Sequence, residues 1–171
     1  VRVPDNAGNY AEQSGTVKID KIDPVINTVT QNTDDWTNAD VTLTINATDE
    51  GGSGLSVYEY QDGETWTALT GNTDVAASNG DYKFRVNDLA GNVSAEFTHT
   101  VTNIDKEAPV IDSITWNHAW TDSSVTVKVS AYDTLSGLNS TEYRYKDKDA
   151  TDWGVWKTFT DTFKIENNGS F

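Results

Sequence analysis

The sequence predicts an all-β chain arranged as tandem β-sandwiches of about seven antiparallel strands each. Three observations predict it. Apolar and polar residues alternate at period two: Val41, Leu43, Ile45 and Ala47 alternate with Thr42, Thr44 and Asn46, and Val125, Val127, Val129 and Ala131 behave alike further on. Strands with one buried face have that pattern. Clusters of Gly, Asn and Asp (DEGGSG, QDGE, SNGD, DLAGN) separate the runs, where turns call for positive φ or side-chain caps. No segment carries a 3.6-residue apolar stripe of helical length.

The order of the elements repeats. WTNADVTLTINATD around Trp36 matches WTDSSVTVKVSAYD around Trp120, 84 positions on (120 − 36). SGLSVYEY from Ser53 aligns with SGLNSTEYRY from Ser136 through a small insertion, and Tyr58 with Tyr60, and Tyr82, Phe84 and Val86, keep the strand spacing. VRVPDNAGN from Val1 matches FRVNDLAGN from Phe84, and the linker KIDKIDPVI from Lys18 matches TNIDKEAPVI from Thr102. Four blocks in one order define a unit of about 84 residues. The linkers near Asp20 and Asp105 set the expected boundaries. Residues 1–20 are then the terminal strands of a preceding repeat, 21–105 a complete domain, and 106–171 a domain lacking its final strands, since NNGSF is the counterpart of SNGDY at Ser78 to Tyr82. With no Met, the sequence is expected to be a segment of a longer protein.

These residues resemble a known family. WTN-x-DVTVT, D-x-x-SGL, the Tyr-rich strand, the Gly-then-Trp hairpin and V-x-D-x-AGN are similar to the immunoglobulin-like repeats of large bacterial surface proteins, over nearly the whole length. The resemblance implies tandem immunoglobulin-like or fibronectin-type sandwiches in an extracellular, cell-surface setting. It names no ligand, because members serve as stalks, as adhesins, or as spacers beside catalytic and sugar-binding modules.

Charge narrows the partners. Lys and Arg number 12 against 27 Asp and Glu, a formal charge of −15, and that field disfavours nucleic acid and anionic membrane while favouring solubility or cations. There is no apolar run of membrane-spanning length, so no membrane insertion is expected of these residues. Without Cys, no disulfide is available and the apolar cores must hold the domains.

Acidic residues recur at defined places: Asp49 and Asp133 after the second strand, Asp5 and Asp88 in D-x-AGN, and Asp20 and Asp105 in the linkers. In an immunoglobulin sandwich the loops after strand B and between strands F and G lie at the end where the chain enters. Each linker Asp is therefore expected beside the two loop aspartates of the domain it enters. Three carboxylates with loop carbonyls would suit calcium, which takes six to eight oxygens. Asp20, Asp49 and Asp88 would form one site, with Glu50 or Asp23 as further ligands. Asp105 and Asp133 would form the next, completed by Asp5 of another molecule. The competing expectation is that these Asp residues cap their own turns.

The recurrent tryptophans, Trp36 with Trp120 and Trp66 with Trp156, are expected to serve packing. Trp116 and Trp153 do not recur, and Trp153 lies in an insertion, KDKDATDWGVW. If exposed, these two are the candidate ligand-binding residues for a glycan or host protein, against interdomain packing as the alternative. No catalytic residue is assigned: His99 and His118, 19 positions apart (118 − 99), have neither a nucleophile pattern nor zinc-ligand spacing. Four N-x-S/T sequons at Asn46, Asn92, Asn139 and Asn168 matter only in a secretory eukaryote, and no buried acid for a Lys–Asn isopeptide is identifiable. The expected function is a non-catalytic spacer or stalk, with an adhesin or carbohydrate-binding module as the alternative. Residues 1–20 are expected to bind neighbouring repeats or symmetry copies by donor-strand complementation.

Overall fold

A computed structural model describes every residue, Val1 to Phe171. The chain is all-β, with strands in several antiparallel sheets and no helix. Two compact units divide it: Val1–Asp34 with Asp40–Thr102, and Asp35–Ala39 with Asn103–Phe171.

The first unit opens with a hairpin of β1 (Arg2–Pro4) and β2 (Tyr10–Glu12). Its sandwich has one sheet in the order β3 (Val25–Gln31), β4 (Val41–Thr48), β7 (Thr73–Ala76). The other has the order β6 (Thr65–Ala68), β5 (Leu55–Asp62), β8 (Gly80–Asp88), β9 (Phe97–Val101). Alternation fixes the inward face, because a one-residue slip would turn every apolar side chain to water. Val41, Leu43 and Ile45 of β4 are fully buried, as are Phe84 and Val86 of β8, Ala76 of β7 and Val101 of β9. Thr42 and Thr44 lie at intermediate exposure on the opposite face, so the expected register holds. Tyr60 of β5 is only half-buried. Its strand is the partner of the short β6, which leaves that end of the sheet less covered.

The second unit has a sheet in the order β10 (Val110–Thr115), β11 (Val125–Tyr132), β15 (Thr162–Ile165) and two ribbons. One pairs β12 (Thr141–Tyr143) with β14 (Lys157–Phe159), the other β13 (Lys146–Asp147) with β16 (Gly169–Ser170). Val127 is buried completely and Phe163 nearly so, while Val125 and Val129 are half-buried. Aromatic stacking centres on Phe163: Tyr143 lies parallel to it at 3.8 Å, and Phe159 and Phe171 meet it edge-on at 5.2 and 5.6 Å.

Local irregularities coincide between the units. The β3–β4 ladder shifts register between Ile26 and Thr28, and the β10–β11 ladder between Ile111 and Ser113. Each bulge leaves one residue of its strand without an opposite number. Ile45 N–H donates to Asn72 O at 2.8 Å, and Val129 N–H to Asp161 O at 3.0 Å.

Candidate functional site

Three carboxylates converge in the first unit. Ligand oxygens of Asp20, Asp49 and Asp88 all lie within 4.8 Å of one another. Asp20 comes from the linker before β3, Asp49 follows β4, and Asp88 ends β8, so the linker and two strand ends deliver all three to one place. Asp88 is buried and the other two are half-buried.

Each carboxylate is held by N–H donors. Asp20 Oδ1 accepts from Ile22 N–H at 3.0 Å and Oδ2 from Ser53 N–H at 2.9 Å. Asp49 Oδ1 accepts from Gly51 N–H at 3.0 Å and Oδ2 from Gly54 N–H at 2.7 Å, with the Ser53 hydroxyl at 3.4 Å. Asp88 accepts from the Asn92 backbone at 2.8 Å and the Asn92 amide side chain at 2.7 Å. That amide also approaches Asp20 O, at 3.4 Å, tying the hairpin to the linker. Gly51 makes the approach feasible, since a β-carbon there would overlap the Asp20 carboxylate.

The hydrogen bonds decide the charge state. Donation from Ile22 and Ser53 holds the Asp20 carboxyl below the ordinary value, although the Asp88 charge opposes it. Burial is the largest influence on Asp88 and pushes it up, but donation from Asn92 and Gly91 outweighs it and the net direction is down. Two adjacent carboxyls thus favour the ionised state while repelling each other. A cation would relieve that repulsion. The donor set is all oxygen, with no imidazole or thiolate, which suits a hard cation such as calcium rather than zinc. Each carboxylate oxygen offers two lone pairs, so the N–H bonds do not exhaust the site. Asp23 and Glu50 stand exposed and outside the cluster.

The second unit repeats part of the arrangement. Asp105, buried, accepts from Glu107 N–H at 3.0 Å and Ser136 N–H at 3.0 Å. Ser136 donation is the main reason its carboxyl is held low. Asp133 Oδ1 accepts from Leu135 N–H at 3.1 Å and Gly137 N–H at 2.8 Å. Asp5 sits in the β1–β2 turn, capped by Ala7 N–H, Asn9 N–H and the Asn9 amide at 2.8 to 2.9 Å, which holds its carboxyl low too. Asp5–Asn9 and Asp88–Asn92 are thus one turn built twice. The turn-capping chemistry expected of these Asp residues is present at all six positions.

The tryptophans fall elsewhere. Trp116 lines a groove of about 320 Å³ with His118, Trp120, Val127 and Phe171, its ring 4.4 Å from His118 and 5.2 Å from Phe171. Trp153 lies under the Arg144 guanidinium at 4.9 Å, and Trp156 meets the same cation at 4.9 Å. Trp153 is not among the residues lining the groove that holds Trp116. Trp66 has the same companion type, Arg85 at 4.5 Å, itself paired with Glu59 at 2.6 Å. Trp36 and Trp120, expected to pack, are instead 50% and 94% exposed. They sit in the turn before β4 and β11, beyond the reach of the strand alternation. His99 meets Gln31 at 3.2 Å, in β9.

Asn92 and Gly51 escaped the sequence reading. The signal for Asn92 was its repetition at Asn9 in D-x-AGN. No such signal marks Gly51. In comparisons with known proteins, no family model matches the chain and no curated protein matches its sequence.

Proposed function

We propose that the chain is a run of non-catalytic, immunoglobulin-like spacer repeats of a bacterial surface protein, whose junctions are clamped by a linker aspartate. One observation carries this reading. The linker residue Asp20 accepts from Ser53 N–H, and the linker residue Asp105 accepts from Ser136 N–H, at 2.9 and 3.0 Å. Each linker is thereby fastened to the loop after the second strand of the domain it enters. A contact repeated at two linkers serves the array rather than one ligand. The matching bulges and the doubled Asp–Asn turn support a common repeat.

At the first junction the clamp has three carboxylates, and in this reading calcium binds Asp20, Asp49 and Asp88. Few ligands and partial exposure correspond to extracellular modules, with a Kd of about 10⁻⁴ to 10⁻³ M. That weak affinity fits the extracellular location proposed for the parent protein.

The alternative, an adhesin or carbohydrate-binding module using Trp116 and Trp153, has less support. Arg144 covers one face of Trp153, and His118 and Phe171 already engage Trp116. Screening the chain on glycan and matrix-protein arrays tests the choice. The spacer reading expects blank arrays. Specific binding abolished by Trp153→Ala would overturn it.

A further inference from the structure

An asparagine followed by glycine carries its own reactive pair. The Gly backbone nitrogen is a nucleophile next to the Asn side-chain carbonyl, and Gly lacks the β-carbon that would obstruct their approach. The chain has two such steps, Asn79–Gly80 and Asn168–Gly169, and one Asp–Gly step, Asp62–Gly63. Their surroundings differ.

Asn79–Gly80 lies in the turn from β7 to β8, where residues 77–81 are all exposed. Nothing stands within 4 Å of the point a β-carbon on Gly80 would occupy. Gly80 is the first residue of β8 and the outermost rung of its ladder with β9, opposite Val101. On its other side, β5 reaches no further along β8 than Phe84. A terminal rung opens at little free-energy cost, and opening frees the Gly80 nitrogen. The other two steps are held. Lys148 N–H donates to Asn168 O at 2.8 Å, and Gly169 is packed against Lys146 O and the Tyr145 side chain. Asp62 O accepts from the Thr65 hydroxyl at 2.9 Å across the β5–β6 turn, and a carboxylate is a far weaker electrophile than an amide.

We infer that Asn79 is a self-modification site, converted in the folded chain to Asp and isoaspartate while Asn168 is spared. Gly80 N bonds to Asn79 Cγ, and the Gly80 proton leaves with the amide nitrogen as ammonia, so a succinimide ring remains. Water then opens the ring. Breaking the bond from Cγ to Gly80 N gives Asp, and breaking the bond from the Asn79 backbone carbonyl carbon to Gly80 N gives isoaspartate. The balance is one water consumed and one ammonia released, with no change of oxidation state.

The position gives the change a consequence. Either product adds a negative charge beside Asp81, in a chain already at −15. Isoaspartate also lengthens the backbone between Ser78 and Gly80 by a methylene. Tyr82 OH donates to Ser78 O at 2.8 Å across that segment, so the longer backbone loosens the entry to β8. The conversion runs one way and requires only water, so it accumulates with the age of the molecule.

Peptide mapping by mass spectrometry of the full chain, aged in mildly alkaline buffer that favours loss of the Gly80 proton, tests the inference. Asn79→Gln and the parent chain aged in denaturant run beside it. In the folded parent chain, the Asn79 peptide should gain the mass of NH replaced by O. It should also separate into two species of equal mass, Asp and isoaspartate, while the Asn168 peptide stays unchanged. In denaturant both Asn–Gly steps should convert. Asn79→Gln should lose the modification at this position, because the extra methylene slows ring closure, and the exposed site tolerates the change. A folded chain left intact at Asn79 while denaturant converts it would overturn the inference. So would equal conversion of Asn168 in the folded chain, or a single product at Asn79. None of these results bears on the spacer reading, which the array screen decides.

Discussion

Gly51 shows how one atom sets the geometry of the carboxylate cluster. The Asp20 carboxylate occupies the space where a β-carbon at position 51 would stand. Gly51→Ala should expel Asp20, break its bond from Ser53 and lower the melting temperature, whereas Gly15→Ala, where nothing lies nearby, should leave it unchanged. Thermal melts of the two variants check this. The same carboxylates fix the acid response. Asp5, Asp20, Asp88 and Asp105 are all held below the ordinary 3.8. For a depressed carboxyl, the folded state binds protons less readily than the unfolded chain. The stabilisation is therefore complete above pH 3.8 and is lost as pH falls from there through the folded values. Melting temperature followed downward from about pH 5 should drop below about pH 4, and Asp20→Asn should flatten that drop. The sequence marked these residues by their recurrence. It did not mark Gly51, whose role depends on where a side chain 31 positions earlier (51 − 20) comes to rest.

Strands and turns differ in how directly they could be read. The β4 register was legible because Val41, Leu43 and Ile45 alternate without interruption, and all three are fully buried. Leu43→Ala should cost the first unit about 2–5 kcal/mol, the range for truncating a buried leucine in a core that relaxes incompletely. Chemical denaturation measures it. Turn chemistry was legible where it recurred, as in D-x-AGN, and Asn92→Ala should weaken the β8–β9 hairpin by removing the side-chain amide donor to the buried Asp88, leaving only the backbone N–H. Tryptophan placement was not legible. Trp36 and Trp120 lie in turns, where period-two reasoning assigns no face, and both are exposed. Trp153 and Trp156 are ordered by Arg144, a cation whose approach no local pattern announces.

At the scale of the whole chain, the two units carry unequal cores. The first buries apolar residues from β3, β4, β7, β8 and β9, whereas the second relies on Ile104, Val127, Phe163 and an aromatic cluster. Apolar burial is the main favourable contribution to folding. Calorimetry should accordingly resolve two transitions, with residues 103–171 melting first and exchanging their amides faster. The all-β architecture was legible from alternation and turn composition. The proposed junction would hold calcium between the linker carboxylate of Asp20 and those of Asp49 and Asp88. The most direct measurement is the melting temperature of the first unit in EDTA and in millimolar calcium, for the parent chain and for Asp49→Ala. Binding to the folded state alone stabilises by mass action, about 2.7 kcal/mol when calcium stands at about 100 times Kd. The account predicts a rise with calcium in the parent chain and none in Asp49→Ala. An unchanged melting temperature in the parent chain would contradict it.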